Sequence, residues 1–194
     1  MPRAEVVYLR KPTRRDRGEY VALREKNKAF LARWMGTSPD GATTTFARTF
    51  DRILAANRGG RHAQRFVCRA KDGAIVGVVN LNEIARGAFH SAYLGYWIGK
   101  PFARRGYMTE ALALALVVAF EELGLHRVEA NIVPGNRPSI ALVRRAGFRR
   151  EGLSPRYLHI AGRWRDHERW ALTVEDWRRA RRVTGRGKKR SRAD

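Results

Sequence analysis

The sequence predicts a mixed α/β domain of the α+β kind, a mostly antiparallel central sheet flanked by helices. Three observations carry this. Strand-like runs come early and are joined by a hairpin turn, as in RFVCRAKDGAIVGVVNLNEI at 65–84. A strand–helix–strand–helix unit follows in the middle of the chain, and its helix, ALALALVVAF at 111–120, is apolar almost all round and so must be covered on most sides. The chain has 194 residues, 44% of them hydrophobic, enough for one sizeable core.

The elements follow in order. Val6 to Leu9 reads as a first strand. A helical stretch runs from about Arg15 to Trp34, with Tyr20, Leu23, Phe30, Leu31 and Trp34 as its apolar positions. GTSPDGATTT is a loop, and Phe46, Phe50, Ile53 and Leu54 then mark a helix over Thr45 to Asn57. The hairpin turns at Asp72-Gly73. AYLGYWIG is a strand bounded by Gly99 and Pro101, and Thr109 to Leu123 is the apolar helix, stopped by Gly124. HRVEANIV is a strand, and Pro138 to Arg145 a short helix ending at Gly147. Strands at Arg150 to His159 and Trp164 to Leu172 close the sheet, and Thr173 to Asp176 opens a last helix over Trp177 to Arg182. These elements make one domain over 1–183, and 184–194 is a basic tail expected to be disordered.

Lysines and arginines number 40 against 18 acidic residues, a net charge of +22. That balance suits a polyanionic partner, RNA above all, and suits equally a generally basic solvated surface. No apolar run is long enough to span a membrane, and the N-terminus lacks a signal peptide's apolar core, so a cytoplasmic protein is expected. The single cysteine, Cys68, lies in a strand and reads as packing; disulfides are excluded and a metal site is not expected.

The turn ARRGYMTEAL at 103–112 is the most informative stretch. It places Arg104 and Arg105 ahead of a helix N-terminus, where the helix dipole disfavours cations. A bound anion resolves the conflict: free amides, the dipole and two guanidiniums converge on it, and Gly106 lets the backbone come close. GYWIGK at 95–100 is one residue short of a P-loop, and Pro101 stands where Ser or Thr is required. No GxGxxG opens a helix, which argues against a dinucleotide fold. What remains is a phosphate site feeding a groove between the strands AYLGYWI and HRVEANIV.

Six segments carry a resemblance: RGAFHSAYLGYWIGK (86–100), RGYMTEAL (105–112), HRVEANIVPGNRPS (126–139), GFRREG (147–152), YLHIAGRWRDH (157–167) and ALTVEDW (171–177). Through them the chain resembles the Gcn5-related N-acetyltransferases (GNAT), and more narrowly the RimJ-type ribosomal-protein-alanine N-acetyltransferases. The resemblance implies the GNAT acyl-CoA N-acyltransferase fold and acetyl-CoA as cofactor. It implies direct transfer of acetyl to an N-terminal α-amine, with a ribosomal protein as partner and rRNA contact through the basic surface as a further expectation. A small-molecule acetyltransferase and an rRNA-binding assembly factor with secondary catalysis are the competing functions.

Carried residue by residue, the resemblance implies a cofactor site at Trp97, Ile98, Arg104, Arg105, Gly106, Tyr107, Met108, Thr109, Asn131, Asn136 and Ser139. Glu83 and Glu129 are candidates for the base. Ser139 aligns with a hydroxyl proposed to act on the CoA side in the RimL branch, and counts as catalytic too. Tyr93, Tyr157 and Asp166 are expected to line the acceptor entrance. The chain departs from the family pattern at Ala103 and Met108 around the central glycine. It departs again at Val143, where many relatives carry a tyrosine acid, and in AYLGYWI, which lacks the usual glutamate.

Overall fold

The computed structural model describes residues 6–40 and 44–190, with the backbone alone from 183 onward. The seven strands are β1 (Val7–Arg10), β2 (Ala63–Arg69), β3 (Ile75–Ala85), β4 (Ser91–Ile98), β5 (Arg127–Ile132), β6 (Arg149–Ile160) and β7 (Arg163–Thr173). They form one sheet in the order β1-β2-β3-β4-β5-β7-β6. Every neighbouring pair is antiparallel except β4 and β5, so the sheet is two antiparallel halves joined at one parallel seam.

Helices cover both faces. On one lies α4 (Tyr107–Val117), the apolar helix, prolonged by a π-helical turn over Val118–Glu122. Its Leu112 and Leu116 share a core with Leu81, Leu94 and Val128 of the sheet, Val143 of α5 (Arg137–Arg145) and Trp177 of α6 (Val174–Arg190). On the other face α1 (Arg17–Lys26), α2 (Lys28–Ala32) and α3 (Phe46–Arg58) bring Tyr20, Leu31 and Phe50 onto Phe66, Val78 and Trp97.

The single helix expected over 15–34 is broken at Asn27. Its side chain leaves the helical pattern to make two bonds: Nδ2 donates to the Leu23 carbonyl at 2.8 Å, and Oδ1 accepts from the Lys100 amide at 2.7 Å. The break therefore bolts α1 to the turn that follows β4. Glu110, in the first turn of α4, accepts from the amides of Val6 and Val7 at 2.9 and 3.4 Å, tying β1 to the helix. Helix α6 continues to Arg190, well past Arg182. The backbone of the expected tail is helical over 184–190; its last four residues, like 41–43 of the expected loop, lie outside the described residues.

The loop after α2 crosses to the far hairpin. Gly36 bridges Ile160, and the Thr37 amide donates to the His159 carbonyl at 2.9 Å. Near the β6–β7 tip, the sheet face that carries α1 to α3 is thereby roofed.

Candidate active site

The parallel seam is short. β4 and β5 pair only as Ser91–Arg127, Ala92–Val128 and Tyr93–Glu129, while β4 stays paired to β3 as far as Ile98. Beyond Tyr93 the two strands diverge and leave a wedge between them. The Gly99 amide donates to the Val76 carbonyl at 2.9 Å, toward β3. Backbone groups alternate sides along a strand, so the amides of Ile98 and Tyr96 face the wedge. Ile98, expected at the cofactor site, thus offers its amide to the wedge. The Trp97 side chain does not enter the wedge; it is buried on the far face with Tyr20 and Phe66, so its nearness to a ligand in the wedge is through the backbone.

At the open end of the wedge lies the turn that precedes α4. Arg104 and Gly106 both take left-handed backbone angles, φ 61° and 83°. The amides of Thr109 and Glu110 fold back onto the Gly106 carbonyl at 3.0 and 3.2 Å. Those of Tyr107 and Met108, at the head of the helix, have no intrahelical acceptor to use. Arg104, Arg105 and Gly106 are exposed, and neither arginine makes an ion pair among the described residues. A Cβ on Gly106 would meet nothing within 4 Å, so the space over the turn is open. Two guanidiniums without an ion pair, free amides and a helix dipole thus meet at one turn, a combination suited to a diphosphate.

The opposite wall is the start of α5. Asn136 caps it, its Oδ1 accepting from the Ser139 amide at 3.4 Å. From β4 the Tyr96 hydroxyl donates to the Ser139 carbonyl at 3.3 Å, spanning the wedge. Burial pushes the Tyr96 phenol up to about 12. A thiol near 8.5 is a far stronger acid, so Tyr96 beside a leaving thiolate would hold a hydrogen bond rather than give up its proton. Tyr96 was absent from the expected site because its place in the alternating AYLGYWI run marks it as core. Val143 is fully buried with Phe148 and Leu172. The position where many relatives carry a phenol is here part of the core.

On the face that carries α1 to α3, four residues singled out from the sequence come together. Glu129 is buried, with one oxygen accepting from Arg127 Nε at 2.9 Å and the other from Arg169 Nη2 at 3.1 Å. Asn131 Nδ2 donates to the Tyr157 hydroxyl at 3.1 Å, and Asn131 Oδ1 is buried without a donor among the described residues. Burial, with Tyr93 beside it, raises the Tyr157 phenol above its ordinary value. Tyr93 pairs directly with Glu129 across the seam. The cluster sits where the wedge closes, on the side away from α4.

His167, in the same terminal strand pair as Tyr157, packs edge-on against it at 5.3 Å. Burial lowers its pKa, and Nδ1 lies 3.0 Å from the Arg165 carbonyl, so the neutral ring donates there and leaves Nε2 as its lone pair. Asp166 faces the other way. Its Oδ1 accepts from the Arg156 amide at 2.8 Å and braces the irregular part of β6, which accounts for the carboxylate there. Glu83 lies at the bulge between β3 and β4 with φ 48°, exposed and paired to Arg61 at 2.7 Å. Asp166 and Glu83 are therefore engaged apart from the cluster. Among the described residues no group of His, Cys, Asp or Glu is arranged to hold a metal ion, and no helix is long and apolar enough to cross a membrane.

Comparison with known proteins agrees with this fold. The [ribosomal protein uS5]-alanine N-acetyltransferase of Escherichia coli (strain K12) is 45% identical over 103 residues, 53% of each chain, so the match spans about half the length of that relative. The probable N-acetyltransferase YjcK of Bacillus subtilis is 31% identical over 179 residues, 91% of this chain and 98% of that one. Mycobacterium smegmatis RimJ, solved in complex with CoA-disulfide, superposes with a TM-score of 0.80 at 34% identity, over 89% of this chain and 84% of that one. Residues 7–149 match the acetyltransferase (GNAT) domain family, and the chain belongs to that family.

Proposed function

We propose that this chain transfers acetyl from acetyl-CoA to the N-terminal α-amine of a protein, with an alanine-starting ribosomal protein as the acceptor. The observation that carries the reading is the divergence of β4 from β5 beyond Tyr93. It gives the thioester arm of acetyl-CoA a slot that ends at the Gly106 turn on one side and at the Tyr93–Asn131–Tyr157 cluster on the other. The kinship with the uS5-alanine enzyme and with RimJ supports the acceptor.

In this mechanism the diphosphate lies over Gly106, Tyr107 and Met108, flanked by Arg104 and Arg105. The thioester carbonyl takes a hydrogen bond from a β4 amide, Ile98 or Tyr96, which strengthens as the oxygen gains charge. The amine approaches from the far face, with Asn131 Oδ1 accepting one of its N–H bonds. A free α-amine has a pKa near 7.7–8.0, so roughly one in six to one in eleven is neutral at pH 7. Arg127 and Arg169 neutralise the carboxylates of Glu129 and Glu151, so nothing in the cluster favours the ammonium form. The neutral amine is thus the form that binds productively. Its nitrogen bonds to the carbonyl carbon, the C–S bond breaks, the excess proton leaves through water, and His167 Nε2 serves as relay. The Ser139 hydroxyl hydrogen-bonds the departing thiolate, and so does the Tyr96 hydroxyl once it turns from the Ser139 carbonyl. Glu129 fixes the arginines rather than acting as base.

The test is direct. Purified protein, acetyl-CoA and an alanine-starting ribosomal peptide are followed by mass spectrometry, beside the same peptide with its amino terminus blocked. One acetyl group is expected on the first and none on the second. Acetylation of lysine side chains in both, or of neither peptide, would refute the α-amine reading.

The +22 charge favours an acceptor already held on RNA over a free basic protein, which like charge would repel. Binding to ribosomal particles that is independent of salt would count against it.

A further inference from the structure

The acceptor cluster uses only part of the segment YLHIAGRWRDH at 157–167, namely Tyr157 and His167. Its middle is the tip of the β6–β7 hairpin. β6 turns into β7 through Ala161 and Gly162 alone, both at left-handed angles, φ 49° and 81°. The turn fixes the register: His159 pairs with Trp164, and Leu158 with Arg165. β5 accompanies β7 only from Glu168 onward, so from Arg163 to His167 the hairpin stands clear of it.

Trp164 sits on this tip. Trp97, Trp170 and Trp177 are buried, whereas Trp164 is 53% exposed. It is nonetheless held in place. Its ring meets the His159 ring edge-on, with centroids 5.7 Å apart at 69°. His159 in turn is pinned by the loop after α2: its carbonyl accepts from the Thr37 amide at 2.9 Å, and its Nδ1 lies 3.0 Å from the Thr37 hydroxyl. An indole is thus presented to solvent on a braced support, with little ordering left to do when a partner arrives.

The charge around it has one sign. Arg156 and Arg163 are exposed and Arg165 half-buried, and none makes an ion pair among the described residues. Arg165 Nε is buried without an acceptor among them. The hairpin's one acid, Asp166, accepts from the Arg156 amide. Arg163 and Arg165 alternate with Trp164 and so take the opposite face. Paired strands lie only about 5 Å apart, so a chain draped over the tip meets the indole on one side and guanidiniums on the other. The occupant must therefore offer both a flat apolar face and negative charge. A basic ribosomal protein lacks the charge, and a second copy of this chain, at +22, would be repelled. A nucleic acid offers both, and its base faces are free to stack where they are unpaired.

We propose that the β6–β7 tip binds single-stranded RNA, with an unpaired base stacked on Trp164 and neighbouring phosphates held by Arg156 and Arg163. The assignment rests on the reading that the acceptor is held on RNA, and deepens it by naming the surface and the state of the RNA.

The test follows binding of a short labelled RNA of mixed sequence, single-stranded or as its duplex, by fluorescence anisotropy. Acetylation of the free alanine-starting peptide is measured beside it. Losing one base–aromatic stack corresponds to about tenfold in affinity. The unmodified chain should prefer the single strand, and Trp164→Ala should lose about tenfold toward it while acetylating the free peptide as before. Trp164→Tyr, which keeps a ring, should retain most of the affinity. Salt dependence should be the same in Trp164→Ala, because a stacked ring releases no counterions, and shallower in Arg163→Ala. Equal single-strand affinity in the unmodified chain and Trp164→Ala would overturn the assignment. So would a Trp164→Ala chain that binds RNA as before but loses peptide turnover, since the tip would then be a contact for the acceptor itself. Failure of the unmodified chain to bind RNA at all would overturn the assignment together with the RNA-held reading, and acetyl transfer to the free peptide would stand on its own assay.

Discussion

Substitution of Gly106 separates backbone strain from electrostatics at the anion turn. Gly106 has φ 83°, where any residue with a Cβ is strained by about 1–2 kcal/mol. The space is otherwise open, since an added Cβ meets nothing within 4 Å. Gly106→Ala and Gly106→Glu therefore share the strain, and the difference between them is the charge. A carboxylate about 6 Å from a diphosphate carrying about two negative charges, at an intermediate effective dielectric near 40, opposes binding by about 3 kcal/mol. That is about a hundredfold in affinity. Calorimetry with coenzyme A should find Gly106→Ala weakened only several-fold and Gly106→Glu about a hundredfold weaker again. Thermal melts should show both variants lowered alike. Equal affinities for the Ala and Glu variants would refute a diphosphate at this turn, because only proximity to its charge distinguishes them.

Other consequences follow from the same contacts. A Cβ at Gly77 would lie 2.4 Å from the Trp97 carbonyl, a backbone atom that cannot step aside, so Gly77→Ala should force β3 from β4 and lower stability by about 2–3 kcal/mol in urea unfolding. Asn27→Ala leaves the Lys100 amide without its acceptor and should cost about 1–3 kcal/mol by the same measurement; a neutral result would mean water replaces it. Tyr157→Phe keeps the ring against His167 and removes the hydroxyl bonded to Asn131, so the Michaelis constant for the peptide should rise while coenzyme A affinity holds. For His167 the sign is set by burial, which lowers its folded-state pKa below the unfolded value near 6.5. Between those two values the unfolded chain binds the extra proton, so His167 contributes stability above pH 6.5 that is lost as pH falls through the folded pKa, with a slope of at most about 1.4 kcal/mol per pH unit. A His167→Gln chain with the same dependence between pH 7 and 5.5 would place the titration elsewhere.

Much of the fold was legible because its signals are local. The period-2 runs, the Asp72-Gly73 turn, the Gly147 stop and the all-apolar helix each follow from short stretches, and each element appears near its expected place. The break at Asn27 was not legible, because its cause is the Lys100 amide, 73 residues away. The same applies to the place of β7 between β5 and β6, which is set by tertiary pairing and not by the order of the strands.

At the site, legibility followed the range of the forces involved. Arg104 and Arg105 point to an anion because their place at a helix N-terminus is an electrostatic conflict visible within four residues. Tyr93, Glu129, Asn131 and Tyr157 could be gathered only through the family resemblance, since three strands must come together before they meet. The carboxylates were the least legible. A lone glutamate on a strand reads as a base until its partners are known, and those of Glu129 are Arg127 on its own strand and Arg169 on β7. In a chain with 40 basic residues and 18 acidic ones, a carboxylate near any groove has more than twice as many cations as rivals to answer to. An excess of arginine thus occupies the oxygens of Glu129, and this is why the proposed acceptor is an amine already partly neutral near pH 7, which asks less of a base.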